Sequence, residues 1–164
     1  MSISKLEYPN GYPDRLRANG RSLDNKFTSD ERLFLRIHRI SPNTEKPEFS
    51  DIRCPDLSVN RSKYSDPEDV LWSKFVYLVD WGIGSLTVGQ ATFGLPSGDG
   101  VVIDFKVEHD PVAASNEAPE NFSHCEIRAY KLGQRRPKVS NALKSEFRQR
   151  IAEAVEVLQA PATF

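Results

Sequence analysis

The stretch that decides the fold is residues 101–131, VVIDFKVEHDPVAASNEAPENFSHCEIRAYK. Its first part alternates apolar and polar residues, and one parity is occupied by Val101, Ile103, Phe105 and Val107. A period of two is typical of a strand that is buried on one face only. The segment 122–131 alternates as well, and a polar loop separates the two. The pattern predicts an antiparallel hairpin with strands at 101–109 and 122–131.

Two of the chain's three histidines lie in this hairpin, and its register decides whether they can act together. His109 has the parity of the apolar residues in the first strand. If the small, apolar set that contains Cys125 is buried in the second strand, His109 and His124 lie on opposite faces. If the aromatic residues of the other parity are buried instead, both histidines and Glu126 converge near the loop. A slip of one residue exchanges the faces, so both registers stay open.

The functional interpretation of the hairpin is a catalytic or metal site built from His109, His124 and Glu126, with Asp110 nearby. Imidazole transfers protons near neutral pH. The two histidines are the metal-ligand candidates, and with the carboxylate they could hold a divalent zinc or manganese ion with an open position. The competing interpretation is a strand-end histidine beside a cross-strand ladder of His, Glu and Arg side chains.

The rest of the chain predicts further strands and two helices. Strands are expected at 31–40, 74–81 and 85–93, with a tight turn at 82–84. A short helix is expected at 66–73, and an amphipathic helix at 141–158. The predicted fold is therefore α+β, an antiparallel meander of about five strands with the C-terminal helix packed on one face. Residues 1–30 are expected to form an irregular polar arm, and 31–160 a single α+β domain.

A second polar stretch precedes the short helix and contains Arg61, Lys63 and Tyr64. Such donors beside a helix N-terminus predict a ligand-binding loop for a phosphate or carboxylate. The acidic first turn at 66–69 repels an anion and argues against it. The alternative is a connecting loop whose Arg61 and Lys63 pair with nearby acids.

Charge and composition limit the partners. The 164 residues carry a formal net charge of −1, so nucleic acid could bind only through a local basic patch such as 135–138. Two cysteines do not make a disulfide framework. No apolar run is long enough for a membrane span, and a cytoplasmic location without membrane contact is expected.

Two hypotheses about function follow. In the first, the protein is a small soluble non-catalytic interaction module that docks a protein, a second copy of itself or a nucleic acid through the arm and the 135–138 loop. In the second, it is a small enzyme that acts on an anionic, phosphate-bearing substrate through the His/Glu site, with or without a divalent metal cofactor. The lack of a known catalytic signature favours the first, and whether any reaction is catalysed stays open.

Overall fold

A computed structural model describes residues 8–162 of the chain. The strands, in chain order, are β1 (Arg32–Ile37), β2 (Leu57–Arg61), β3 (Trp72–Ser73), β4 (Val76–Tyr77), β5 (Gly82–Thr87), β6 (Phe93–Pro96), β7 (Val102–His109), β8 (His124–Lys131), β9 (Gln134–Arg135) and β10 (Glu156–Gln159). An eight-stranded antiparallel sheet has the order β10-β5-β1-β2-β8-β7-β6, and β9 pairs with β8. Strands β3 and β4 form a separate two-stranded hairpin. The α+β prediction with an antiparallel sheet is confirmed.

The central hairpin forms as its alternation predicts. Strands β7 and β8 pair from Ile103 opposite Lys131 to His109 opposite Cys125. The side chains of one face are almost fully excluded from solvent, namely Ile103, Phe105, Cys125, Ile127 and Ala129. Burying each of the larger ones contributes on the order of 1.5–3 kcal/mol before the entropy of ordering is counted. This face is the floor of the main hydrophobic core.

The C-terminal helix covers that floor, as predicted, but it is shorter than the apolar stripe suggested. Helix α1 spans Asn141–Ala154, and the Ser140 hydroxyl caps it by accepting from the Leu143 N–H. Phe147 is fully buried and its ring lies 4.6 Å from that of Phe105. Residues 156–159 leave the helix because they form β10 on the edge of the sheet.

The predicted simple meander is wrong in strand number and in order. The run β6–β9 follows chain order as a meander, whereas β1 lies between β2 and β5, β2 lies beside β8, and β10 forms the far edge. The predicted turn at 82–84 belongs to β5. A Cβ atom on Gly84 would come within 2.6 Å of a Val155 methyl, so this glycine permits close packing inside a strand rather than a turn.

The predicted buried strand at 74–81 is also wrong, since the run contains only the turn and the short second strand of the β3–β4 hairpin. Val76 and Val79 are 59% and 68% exposed, and Lys74 occupies the turn with a φ of 56°. The predicted strand at 85–93 is divided between the end of β5 and the start of β6. The predicted helix at 66–73 is a single 3-10 turn, Pro67–Leu71, capped by Asp66 and Asp69.

From residue 8 onward the N-terminal arm is irregular apart from one 3-10 turn at Asp14–Leu16, and it packs along the hairpin. Leu16 is fully buried, and its carbonyl accepts from the Phe122 N–H at 2.8 Å. The part of the predicted arm at 1–7 lies outside the described residues. Within 8–162, no helix has the length and apolarity needed to cross a membrane.

The face of the sheet opposite α1 is polar across β2 and β8, whereas on β1 and β5 it carries a small apolar cluster that includes Phe34 and Ile83. Ser58 pairs with Glu126 and Asn60 pairs with His124, so these four side chains share that face. Strands β1 and β2 pair only at Leu33–Arg61 and Phe34–Asn60, although both strands continue beyond these pairs. Strands β1 and β2 therefore diverge beyond Phe34 and Asn60 and leave an opening between them.

Candidate functional site

The two hairpin histidines lie on opposite faces of the sheet. His109 is paired with Cys125 on the core side, whereas His124 projects from the polar side. Of the two registers that the sequence left open, the structure has the one that separates them. A metal site that uses both His109 and His124 is therefore not formed, because adjacent strand residues point to opposite faces.

His109 is a structural residue in this geometry. It is 2% exposed, its Nδ1 accepts from the Asp24 N–H at 2.9 Å, and its Nε2 donates to the Phe122 carbonyl at 2.6 Å. Burial lowers the pKa of His109 and favours the neutral imidazole that this pattern requires. Both ring nitrogens are engaged in hydrogen bonds with the backbone. His109 therefore has no free ring lone pair for the predicted catalytic role.

Arg61 is fully buried and ties the N-terminal arm to the sheet. Its Nε and Nη2 each donate to a carboxylate oxygen of Glu31 at 2.8 Å. Its Nη groups also donate to the backbone carbonyls of Asp24 and Lys26. The guanidinium has no face left for an external anion, in contrast to the predicted ligand-binding role.

Lys63 and Tyr64 also bind a carboxylate of the chain itself. The Lys63 Nζ lies 2.8 Å from Asp24 Oδ2, and the Tyr64 hydroxyl donates to the same atom at 2.6 Å. The hydrogen bonds from Lys63 and Tyr64 hold the pKa of Asp24 well below its usual range. In the structure Arg61 pairs with Glu31 and Lys63 pairs with Asp24. This is the arrangement of the alternative interpretation, in which the loop pairs with nearby acids.

Of the two hairpin histidines, His124 is the one whose ring can take part in ligand binding or proton transfer. Its Nδ1 donates to the Asp110 carbonyl at 2.6 Å, while Nε2 lies 3.3 Å from Glu126 Oε1 and 3.2 Å from Ser58 Oγ. Burial alone would lower the pKa of His124, but the hydrogen bonds to Glu126 and to Asp110 outweigh it and the pKa is raised. His124 and Glu126 thus form a half-buried pair on the polar face.

A ladder of charged residues continues from this pair across β8 and β7. The Arg128 guanidinium donates to Glu108 at 2.7 Å and to Asp110 Oδ2 at 2.5 Å. Arg135 donates to Glu108 as well, so one cation of the basic loop 135–138 is held by the protein itself. The side chain of Arg128 is only 8% exposed. Its ion pair with Glu108 therefore belongs to an ordered network rather than to a solvated surface pair.

Three ligand-type atoms converge at one end of the ladder. A carboxylate oxygen of Asp110, a ring nitrogen of His124 and a carboxylate oxygen of Glu126 lie within 4.8 Å of one another. The parity of β8 predicted that His124 and Glu126 share a face, and the sequence placed Asp110 nearby. The structure replaces His109 with Asp110 in this group.

A cavity of about 260 Å³ adjoins His124, at the opening between β1 and β2. Polar and apolar side chains line it together, from β1, β2, the β3–β4 hairpin, the arm and the 110–119 loop. Its lining includes Tyr12, Arg36, Asn60, Trp72, Lys74, Asn121 and His124. Asn60 is buried, and its Oδ1 accepts from Asn121 Nδ2 at 2.9 Å.

Arg36 lines this cavity and was not among the candidate site residues identified from the sequence. It is half-buried, its Nη1 donates to the Trp72 carbonyl at 3.3 Å, and burial lowers the pKa of its guanidinium. Within residues 8–162 no carboxylate lies within ion-pair distance of it. In the sequence it was one polar residue of an alternating strand, and only the strand order reveals that it faces a cavity.

Comparison of the chain with protein-family models, with curated proteins and with solved structures gives no match.

Proposed function

We propose that this protein binds a small anionic ligand, one that carries a phosphate or carboxylate group, in the cavity beside His124. The observation that carries the proposal is Arg36, a half-buried guanidinium that lines the cavity and has no carboxylate partner within residues 8–162. Buried cations are normally paired, because leaving the charge unpaired away from water is costly.

The chemistry of a guanidinium sets the class of ligand. Its planar array of N–H donors matches the geometry of carboxylate and phosphate oxygens, and partial burial strengthens such charge-assisted hydrogen bonds. The Trp72 carbonyl occupies one of the donors and leaves others for a ligand. Lys74 at the rim adds positive charge, and His124 brings a second cationic group when it is protonated.

The remaining lining limits the size and orientation of the ligand. Asn60 and Asn121 contribute amide groups, and Trp72 forms an aromatic wall. The Tyr12 hydroxyl donates to the Glu120 carbonyl at 2.6 Å, so Tyr12 contributes its ring to the wall. A cavity of about 260 Å³ is smaller than pockets for drug-sized molecules, which favours a short phosphomonoester or carboxylate.

The test is titration calorimetry with inorganic phosphate and with glycerol 3-phosphate, in metal-free buffer of low ionic strength. Arg36→Met is expected to weaken binding about 10- to 100-fold, the equivalent of a charge-assisted hydrogen bond of roughly 1.5–3 kcal/mol. Arg53→Met is the matched control, because Arg53 is exposed and lies outside the cavity. Equal affinity in Arg36→Met and wild type, or no binding to wild type, would overturn the proposal.

The enzymatic form of this proposal assigns proton transfer to His124. Within the described chain it is the imidazole that lines the cavity, and Glu126 is in position to share its proton. The interaction-module hypothesis has less support, since its cations are partly used by the fold. Arg15 in the arm donates to Asp69 at 2.5 Å and Arg135 in the loop donates to Glu108.

A further inference from the structure

We infer that Asp110, His124 and Glu126 form a binding site for one divalent transition metal ion of the zinc type. The inference does not depend on anion binding in the cavity, and it is tested with the metal alone. An imidazole nitrogen and two carboxylate oxygens are a common protein ligand set for such ions, and they leave a position open for water or substrate.

The backbone brings the three ligands together before any ion arrives. His124 and Glu126 are two residues apart in β8, so their side chains project from the same face. Asp110 follows β7 directly, and its N–H donates to the His124 carbonyl at 3.0 Å. The ligand atoms lie within 4.8 Å of one another. Two ligands of a tetrahedral ion at 2.0–2.2 Å are separated by about 3.4 Å, so small side-chain rotations close the site.

The orientation of the imidazole also fits a ligand. His124 Nδ1 donates to the Asp110 carbonyl, and this hydrogen bond leaves Nε2 facing Glu126 and Ser58. Metal-binding histidines usually donate their second ring nitrogen to a backbone carbonyl or carboxylate, which fixes the ring and the tautomer. The same arrangement is present here without the ion.

A separate observation comes from the second carboxylate oxygen of Glu126. The Oε2 atom is buried and has no hydrogen-bond partner within residues 8–162, although Oε1 accepts from Ser58. A buried carboxylate oxygen without a partner is costly. Coordination of a cation by Oε2 would remove that cost, whereas no hydrogen bond within residues 8–162 does so.

The surrounding charge favours a cation over a further anion at this point. Three carboxylates, from Asp56, Glu108 and Asp110, pair with Arg128, and Arg135 also pairs with Glu108. The carboxylate of Glu126 adds a fourth negative charge and lies beside His124. Arg128 holds Asp110 Oδ2 and leaves the other oxygen of that carboxylate for the ion. His124 also lines the cavity, so the open coordination position is expected on the cavity side.

The experiment is calorimetric titration of chelator-treated protein with Zn²⁺, followed by Co²⁺ absorption spectroscopy to report ligand number. Wild type is expected to bind one ion, with a Co²⁺ visible spectrum typical of low coordination number. Glu126→Gln nearly preserves shape and is expected to weaken binding about 100-fold. His124→Ala should do at least the same, while the matched control His38→Ala removes an exposed histidine stacked on Trp81 and should bind as wild type does.

Several results would overturn the inference. One is that wild type binds Zn²⁺ no more tightly than Glu126→Gln does. Another is that His38→Ala loses as much Zn²⁺ affinity as His124→Ala, which would indicate surface binding only. Absence of binding up to millimolar Zn²⁺ would do the same. Thermal melts of each metal-free variant show whether Zn²⁺ affinity was lost because the variant misfolds. If His124→Ala misfolds, Glu126→Gln is the deciding variant. Arg36→Met should bind Zn²⁺ normally, so failure of the metal site and failure of the anion site can be distinguished.

Discussion

Replacing Arg61 by methionine tests how the N-terminal arm is held. The guanidinium is completely buried, donates twice to Glu31, and stacks over the Phe27 ring at 4.1 Å. Methionine keeps much of the aliphatic volume but removes every one of these donors. Glu31, whose side chain is 10% exposed, would be left as a nearly buried charge without its partner.

The expected loss in the free energy of unfolding is about 3–5 kcal/mol, the usual cost of removing one member of a buried ion pair. Urea unfolding followed by tryptophan fluorescence measures it, with a check that the slope with urea is unchanged. Arg39→Met is the control, because Arg39 is 59% exposed and its pair with Asp51 should contribute only about 0–1 kcal/mol.

A double variant separates the loss of the ion pair from the cost of leaving Glu31 buried without a partner. Adding Glu31→Gln to Arg61→Met removes the orphaned charge, so the double variant is expected to be more stable than Arg61→Met alone. A stabilising role for the buried Arg61–Glu31 pair is refuted if Arg61→Met costs no more than Arg39→Met. It is also refuted if neutralising Glu31 recovers nothing.

Three further predictions concern packing and titration. Gly84→Ala should cost about 1–3 kcal/mol in thermal or urea unfolding, because its Cβ would press on Val155; a neutral result would mean that β5 and β10 can separate freely. His109→Ala should lower stability yet leave Zn²⁺ affinity unchanged, and loss of metal would return His109 to the site. Burial raises the pKa of Cys54 to about 11, so iodoacetamide should alkylate it slowly at pH 8 and faster as pH rises toward that value; a plateau below pH 9 would contradict this.

The sequence alone determined the elements whose burial follows a local period. The alternation in 101–109 and 122–131 located β7 and β8, and the stripe in 141–158 located α1. The same parity argument placed His124 and Glu126 on one face. These predictions work because a strand or helix that is buried on one side shows its period in its own residues.

Apolar content without a clear period was misleading. The run 74–81 is rich in aromatic and β-branched residues, yet its one strand is the two-residue, exposed β4. The glycines at 82–84 suggested a turn, although Gly84 allows β10 to lie against β5. A glycine is typical both of turns and of places where another chain segment packs closely. The neighbouring sequence does not show which applies at Gly84, because the partner, Val155, is far away in the chain.

Only the tertiary structure decided which distant segments meet. The insertion of β1 between β2 and β5, and the opening between β1 and β2, place Arg36 beside His124 in one cavity. The register at His109 opposite Cys125 separated the two histidines and left Asp110 to complete the ligand group. Strand order and register depend on the relative energies of contacts between residues far apart in the chain, and residue periodicity carries no record of them.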